Sequence, residues 1–332
     1  MNSKNNRDPR ARSLANLSSS PPLRLVFFGT PSFAVPTLER LIEGRHEVVT
    51  VVSQPDRRRG RGRKPSPAPV ADVALSAGVP LIRPENVGDD EVLAEVRACE
   101  ADLGVVVAFG QFLPKSIREV SSLGYQINGH ASLLPHYRGA APIPRCILDG
   151  ARVTGVSAMR VEKEMDAGSV ALQREIEIGE HENAGELAER LSKLTADTLE
   201  EVIEQIADNS VRWIPQDATR ATVAPKIERS DGQLIWTESA RTLCRRVRAM
   251  APNPGAYTTF EGESLQILDA RSDASPADLA PGTVCVEAAQ RLRIATGDGW
   301  MLPRILQRPG KRAMDVEAFV RGRPILDGIH LG

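Results

Sequence analysis

An α/β fold is predicted: a doubly wound, mostly parallel, Rossmann-like sheet followed by a small OB-like β-barrel. Three observations predict it. Four short apolar runs, Arg24–Phe28, Val48–Ser53, Asp102–Ala108 and Tyr125–Asn128, read as strands buried on both faces. Between them lie stretches with helical patterning, "SFAVPTLERLIEG", "APVADVALSAG" and "DDEVLAEVRACE". Strand and helix alternating at this spacing imply βαβ units and a parallel sheet. Toward the C-terminus that alternation stops. One helix, "ESARTLCRRVRAM", and a Pro-Gly turn, "APNPGAY", lead into about five short strands in roughly a hundred residues, the pattern of a small barrel.

At 332 residues the chain is long enough for two domains of the usual size, roughly 100–200 residues each. After Gly150 two strands, Val153–Val161 and Val170–Ile178, are joined by "EKEMDAGS". A long amphipathic helix follows, Ala184 to Ala207, with Leu187, Leu191, Leu194, Leu199, Val202 and Ile206 near helical spacing. The expected boundaries are a disordered tail over 1–22, a first domain over 23–208, a linker lying over it at 209–226, and the barrel over 227–332. The barrel strands fall near Tyr257–Phe260, Ser264–Ala270, Thr283–Val286, Arg291–Ala295 and Met301–Leu306. The tail is polar, rich in Ser, Asn and Arg, with Asp8 as its one acid and no apolar core for a secretory signal. An organelle transit peptide is the alternative to simple disorder.

Several function classes are disfavoured at once. The formal net charge of −1 is not that of a uniformly basic nucleic-acid binder, so the placing of charge matters more than its sum. No apolar run reaches the ~18 residues of a membrane helix. Cys99, Cys146, Cys244 and Cys285 lie far apart, and none of the five histidines shows a metal-ligand spacing. A reducing, cytoplasmic setting and no metal are expected. "FFGTPSFA" lacks G-x-G-x-x-G, and Gln54 stands where a dinucleotide fold wants an acid. "GRGRKPS" is not a phosphate loop.

Three features carry chemistry. Six basic residues, Arg57, Arg58, Arg59, Arg61, Arg63 and Lys64, crowd a loop with two glycines after the second strand. Ligands of open α/β sheets bind at that edge, so the loop is a footprint for phosphates rather than only a solvated turn. Asn128 and His130, two apart in extended chain, point the same way at roughly 7 Å of chain spacing. A carboxamide and an imidazole there can serve as oxyanion donor and proton carrier. A lone histidine among apolar residues is more often structural. The strand-end position, the matched Asn and the acidic loop "EMDAGS" favour the chemical reading. Asp166 in that loop can return to the strand edge beside His130. With no G-x-S-x-G elbow and no suitable cysteine, a transferred group must meet a nucleophile carried by the substrate.

This order of pieces, N-x-H at Asn128 and His130, Ser132-Leu133-Leu134-Pro135, Arg138-Gly139 with Pro142, then Asp166-Ala167-Gly168, resembles the 10-formyltetrahydrofolate-dependent formyltransferases. "QPDRRRGRGRK", "VVVAFGQFLP", "PQDATRATVAPKI", "RAMAPNPGAY" and "LQRPGKRAM" extend the likeness from about residue 23 to the C-terminus, toward the branch acting on methionyl-tRNA. The resemblance implies that Asn128, His130 and Asp166 are catalytic. It implies that Ser132, Leu133, Leu134 and Pro135 contact the folate, and that the arginine loop meets the acceptor end of initiator methionyl-tRNA. It also implies that 10-formyltetrahydrofolate is the cosubstrate. The apolar SLLP and VVVAFG segments would form the pterin slot, and Arg245, Arg246, Arg248, Lys311 and Arg312 would neutralise phosphates. Asn253 stands where the family usually has Trp, and Arg58 and Arg59 where Pro-Ala is common. Formylation of glycinamide ribonucleotide or an amino sugar, and a non-catalytic RNA-binding relative, are the rival readings. A monomer is expected. A chain cut near residue 225 is expected to leave a folded folate-binding core that handles tRNA poorly.

Overall fold

After Arg24 every residue of the first predicted strand is apolar up to its glycine, and the reason is visible in the computed structural model, which describes residues 20–59, 64–287 and 291–332. Strand β1 (Arg24–Gly29) sits inside a seven-stranded sheet with both faces covered. Leu25 and Phe27 pack on one face, against α1 (Val35–Glu43) and the later helix Ala184–Ala207. Val26 and Phe28 pack on the other, against Val92, Val96 and Ile117. Alternate residues serve opposite layers, so no position is left for a polar side chain.

The chain continues through β2 (Glu47–Val52) and a short ribbon, β3 (Arg57–Arg59) paired with β4 (Lys64–Ser66). Then come α2 (Pro69–Ala77), β5 (Leu81–Ile82), α3 (Asp90–Ala98), β6 (Leu103–Val107), the single-turn α4 (Lys115–Arg118) and β7 (Gln126–His130). Helix α5 (Pro142–Asp149), strands β8 (Val153–Arg160) and β9 (Val170–Glu177), and helix α6 (Ala184–Ala207) complete this part. The order across the sheet is β5-β2-β1-β6-β7-β8-β9, parallel from β5 to β7 and antiparallel beyond. The order reverses between β1 and β6. That is where an open sheet leaves a crevice at its carboxyl edge.

Residues 209–226 run back over this unit. Ile214 bridges Val170 and Val223 bridges Arg138. Helix α7 (Ala240–Met250) follows, capped by the Ser239 hydroxyl on the Thr242 amide. Strands β10 (Ala256–Phe260), β11 (Glu263–Asp273), β12 (Val284–Val286), β13 (Leu292–Ala295), β14 (Trp300–Gln307) and β15 (Met314–Asp315) precede α8 (Val316–Gly322). The antiparallel order is β10-β11-β14-β13-β12, with β15 beside β14. The two ends are joined by residues 329–332: Val284 N donates to Ile329 O at 2.8 Å, and Gly332 N to Thr259 O at 3.1 Å. The curled sheet thus becomes barrel-like through backbone bonds outside its named strands.

Sequence reading placed the long strands and gave α6 its observed ends. The β3–β4 ribbon, two-residue β5, α4, α5, β15 and α8 were not foreseen. The expected tail over 1–22 lies outside the described residues up to residue 19. Ser20 is hydrogen-bonded to Asp208 and accepts from Arg45 at 2.8 Å. Among the described residues no helix is long and apolar enough to cross a membrane.

Candidate active site

Asn128 and His130 are the last outward-facing pair of β7, which lies between β6 and β8. Gly129 between them points the other way, where α6 crosses. A Cβ there would stand 2.5 Å from Thr195 Cγ2 and 2.9 Å from Leu199 Cδ1. The helix can lie close enough to seal β7 only if that position carries no side chain.

His130 is only 6% exposed. Its Nε2 meets the Tyr137 carbonyl at 2.8 Å and its Nδ1 faces Asp166 Oδ2 at 3.5 Å. A carbonyl oxygen only accepts, so Nε2 carries the hydrogen and Nδ1 is the nitrogen left to exchange a proton. The same Asp166 oxygen accepts from the Gly139 amide at 2.8 Å. Asp166 arrives from the β8–β9 connection, where Gly168 permits the return: a Cβ there would fall 1.9 Å from the Arg160 carbonyl. Three segments distant in sequence are thereby brought to one point.

Asn128, His130 and Asp166 together line a cleft of about 700 Å³ at the carboxyl edge of the sheet. Its walls are mostly apolar: Val106 of β6 with Ala108, Phe109 and Leu113 after it, Met159 of β8 with Val161 just past it, and Phe33 after β1. Two large side chains stand exposed at its mouth, Phe112 (62%) and Met165 (65%). The cleft floor is tied to its neighbours. Thr30 Oγ1 and Gln54 Nε2 both donate to the Phe109 carbonyl, at 2.8 and 2.9 Å. Gln54, noted in sequence only for not being an acid, thus anchors the loop that makes the floor.

The VVVAFG segment lines the cleft, whereas Ser132, Leu133, Leu134 and Pro135 lie behind its wall. Ser132 is fully buried and donates to the His136 carbonyl at 2.6 Å. Leu134 packs with Met159 and Val170, and its amide donates to Ser157 Oγ at 3.0 Å. That buried hydroxyl also donates to Ser132 O and accepts from Gln173. The chain turns beneath β8 immediately after His130, so these residues build the turn that presents the imidazole. Ser157 and Gln173 were missed in sequence because strand residues carry no local signal of such a contact.

The basic residues divide. Arg57, Arg58, Arg59 and Lys64 lie on the β3–β4 ribbon beyond the carboxyl end of β2, while Arg61 and Arg63 lie outside the described residues. Arg246 is held by Glu238, with NH2 to Oε1 at 3.0 Å. Arg248 donates to the Glu182 carbonyl at 3.1 Å, and burial pushes its guanidinium below the ordinary arginine value. Arg245 packs over Gly150 at the edge of a second cavity of about 620 Å³, which Arg152, Arg241 and Arg271 also line. Lys311 and Arg312 are exposed between β14 and β15. Burial pushes the Cys146 and Cys244 thiols up to about 11 and about 12, leaving neither as a thiolate nucleophile.

A doubly wound sheet with an amide, imidazole and carboxylate in an apolar crevice, followed by a small antiparallel sheet, is the architecture of a group-transfer enzyme whose substrate brings its own nucleophile. Residues 23–203 match the family described as formyl transferase, and residues 226–324 match its C-terminal domain. A methionyl-tRNA formyltransferase of Moorella thermoacetica is 39% identical over 93% of this chain and 99% of its own length. One from Geobacter metallireducens is equally similar over the same shares. Among solved structures, a Helicobacter canadensis N-formyltransferase with folinic acid and dTDP-3-aminofucose superposes with a TM-score of 0.63. It has 14% identity, over 85% of this chain and 98% of that one. The methionyl-tRNA formyltransferase from Clostridium thermocellum gives 0.55 at 15% identity, over 76% and 95%. The chain belongs to the methionyl-tRNA formyltransferase family.

Proposed function

We propose that the cleft moves the formyl group of 10-formyltetrahydrofolate from N10 to the α-amino group of methionine esterified to initiator tRNA. The observation that carries this reading is the meeting of Asn128, His130 and Asp166 at one side of an apolar crevice wide enough for a flat heterocycle. The similarity to methionyl-tRNA formyltransferases over nearly the whole chain supports the choice of acceptor.

The unprotonated amine, a useful fraction near neutrality because a free α-amine has a pKa of about 7.7–8.0, attacks the formyl carbon. Asn128 Nδ2–H stabilises the oxyanion of the tetrahedral adduct. His130 Nδ1 takes the proton released by the amine, with the Asp166 carboxylate beside the imidazolium it creates. Collapse breaks the bond from the formyl carbon to N10, and the same proton passes to N10. One N–C bond forms, one breaks, and no proton is gained or lost overall. Phe109, Leu113 and Met159 exclude water and hold the pterin. The ribbon arginines take the acceptor-end phosphates, and the protein works as a cytoplasmic monomer.

The test is an assay of the purified protein with 10-formyltetrahydrofolate and three acceptors: methionyl-tRNA, glycinamide ribonucleotide and an amino-sugar nucleotide. Formylmethionine released after ester hydrolysis of the tRNA, with no product from the small amines, is expected. Product from a small amine alone would move the reading to that acceptor. No consumption of the donor with any of them would make the chain a binding protein.

A further inference from the structure

The segment joining the two sheets supplies a side chain to the site. Gln216 Nε2 donates to the Asp166 carbonyl at 2.8 Å and to the Gly168 carbonyl at 2.7 Å. Its Oε1 accepts from Arg138 Nε at 3.1 Å and Arg138 NH2 at 2.8 Å. A carboxamide has two N–H donors and two lone pairs, so every bond it can make is made here.

Each end of that amide holds one half of the proton-transfer pair. On one side is Asp166, whose backbone φ of 52° lies in the left-handed region that a non-glycine residue keeps only when its surroundings hold it there. On the other is Arg138, flanked by Tyr137, whose carbonyl receives His130, and Gly139, whose amide holds the Asp166 carboxylate. Tyr137 is also left-handed, at φ 58°. The same joining segment supports it: Tyr137 N donates to Thr222 Oγ1 at 2.8 Å, and Arg138 N to Thr222 O at 2.9 Å. Gln216 is thus a cross-link between the loop that carries the acid and the loop that orients the base. The Nδ1–Oδ2 separation of 3.5 Å is already long, so a small relaxation of either loop ends the contact.

We propose that Gln216 is a positioning residue for the Asp166–His130 pair, making the joining segment part of the active site. The proposal rests on the reading that this pair moves the proton in formyl transfer. Losing the cross-link is a misplacement of catalytic groups without loss of any of them, an effect that reaches on the order of a hundredfold.

The experiment compares Gln216→Ala and Gln216→Glu, alone and combined with Asp166→Asn. Glu keeps the size and the acceptor for Arg138 but cannot donate to the two carbonyls. Alone, each is expected to lower kcat by about ten- to a hundredfold with KM for the formyl donor within about threefold. In the Asp166→Asn background the further loss is expected to be under about twofold, because the group being positioned is gone. Independently of any acceptor, NMR of isotope-labelled histidine, with His130 assigned by its absence in His130→Gln, is expected to show its titration midpoint moving the same way in Gln216→Ala as in Asp166→Asn. Equal kcat losses in both backgrounds would overturn the proposal. So would an unchanged kcat, a midpoint that Gln216→Ala leaves in place, or loss of fold in both Gln216 variants. Failure of the wild type to formylate methionyl-tRNA would refute the functional reading instead, and the titration comparison would still decide Gln216.

Discussion

At His130 the two ring nitrogens do different work. Nε2 is committed to the Tyr137 carbonyl, which fixes the ring plane; Nδ1 is turned toward Asp166 and the cleft. Removing the imidazole removes the proton carrier and its bond to the Tyr137 carbonyl, while the pairing of β7 with β6 and β8 still holds the strand end. His130→Ala is therefore expected to lower kcat by about 10²–10⁴, the usual span for general acid–base help, with the thermal midpoint lowered by several degrees and the fold kept. Single-turnover formylation measured beside a melting curve checks both halves, and turnover like the wild type's would take His130 out of the mechanism.

At the scale of elements, the β3–β4 ribbon and the start of β1 each make a measurable demand. If the ribbon grips phosphates, Arg58→Ala should reduce the slope of log K against log salt for tRNA by about one ion and leave donor binding alone. An unchanged slope would separate the ribbon from the nucleic acid. At the other end of the sheet, His46 is buried between Leu23 and α6. Leu23 N donates to its Nδ1 at 2.9 Å, and its Nε2 faces Glu204 Oε1 at 3.1 Å, with Arg45 also on Glu204. Burial lowers its pKa below 6.5, outweighing the upward pull of Glu204. Protonation would put a second N–H against the Leu23 amide. The unfolded chain then binds a proton below about pH 6.5 that the folded chain refuses, so stability should fall as pH drops through that point, by at most about 1.4 kcal/mol per unit. Urea titrations should show this limb in the wild type and a flatter one in His46→Gln; equal limbs would acquit His46. Elements of this kind also mark how far the sequence could be read. The long buried strands and α6 announce themselves by period, and Asn128–His130 by their spacing at a strand end. The ribbon carries no apolar residue, β5 is two residues long, and α5 opens on Pro-Ile-Pro, so none repeats often enough to show a period. Gln216 and Ser157 escaped for a different reason: their roles are hydrogen bonds to backbone groups far away in the chain, which no local pattern encodes, and Tyr137 acts through its backbone carbonyl, which no side-chain pattern reports.

For the whole molecule, the division into two halves is weaker in space than in sequence. One continuous core joins them: Leu243, Val247 and Met250 of α7, all fully buried, pack with Ile147 of α5 and Leu187 and Leu191 of α6. Arg145 of α5 adds a bidentate grip on Asp231, with NH2 to Oδ2 at 2.8 Å. A cut near residue 225 exposes the α5–α6 side of this contact to water. Burying three side chains of this size is worth about 1.5–3 kcal/mol each, and total stability is about 5–15 kcal/mol. The loss is therefore of the same order as the whole. The shared core thus adds a cost in stability to the expected outcome, a folded N-terminal core that handles tRNA poorly. The segment with Gln216 and Thr222 would remain, but the core beneath α5 would be open on one side. Residues 20–225 are expected to melt at least 10 °C lower than the full chain, a loss of several kcal/mol at a few degrees per kcal/mol, and to associate through the bared face. Polar replacements at Ile147 and Leu187 would restore solubility without restoring tRNA affinity. Calorimetry and sedimentation of the two forms decide it: a truncated chain that is monomeric and melts with the full chain would mean that the shared core contributes little, and the two halves would then be independent after all.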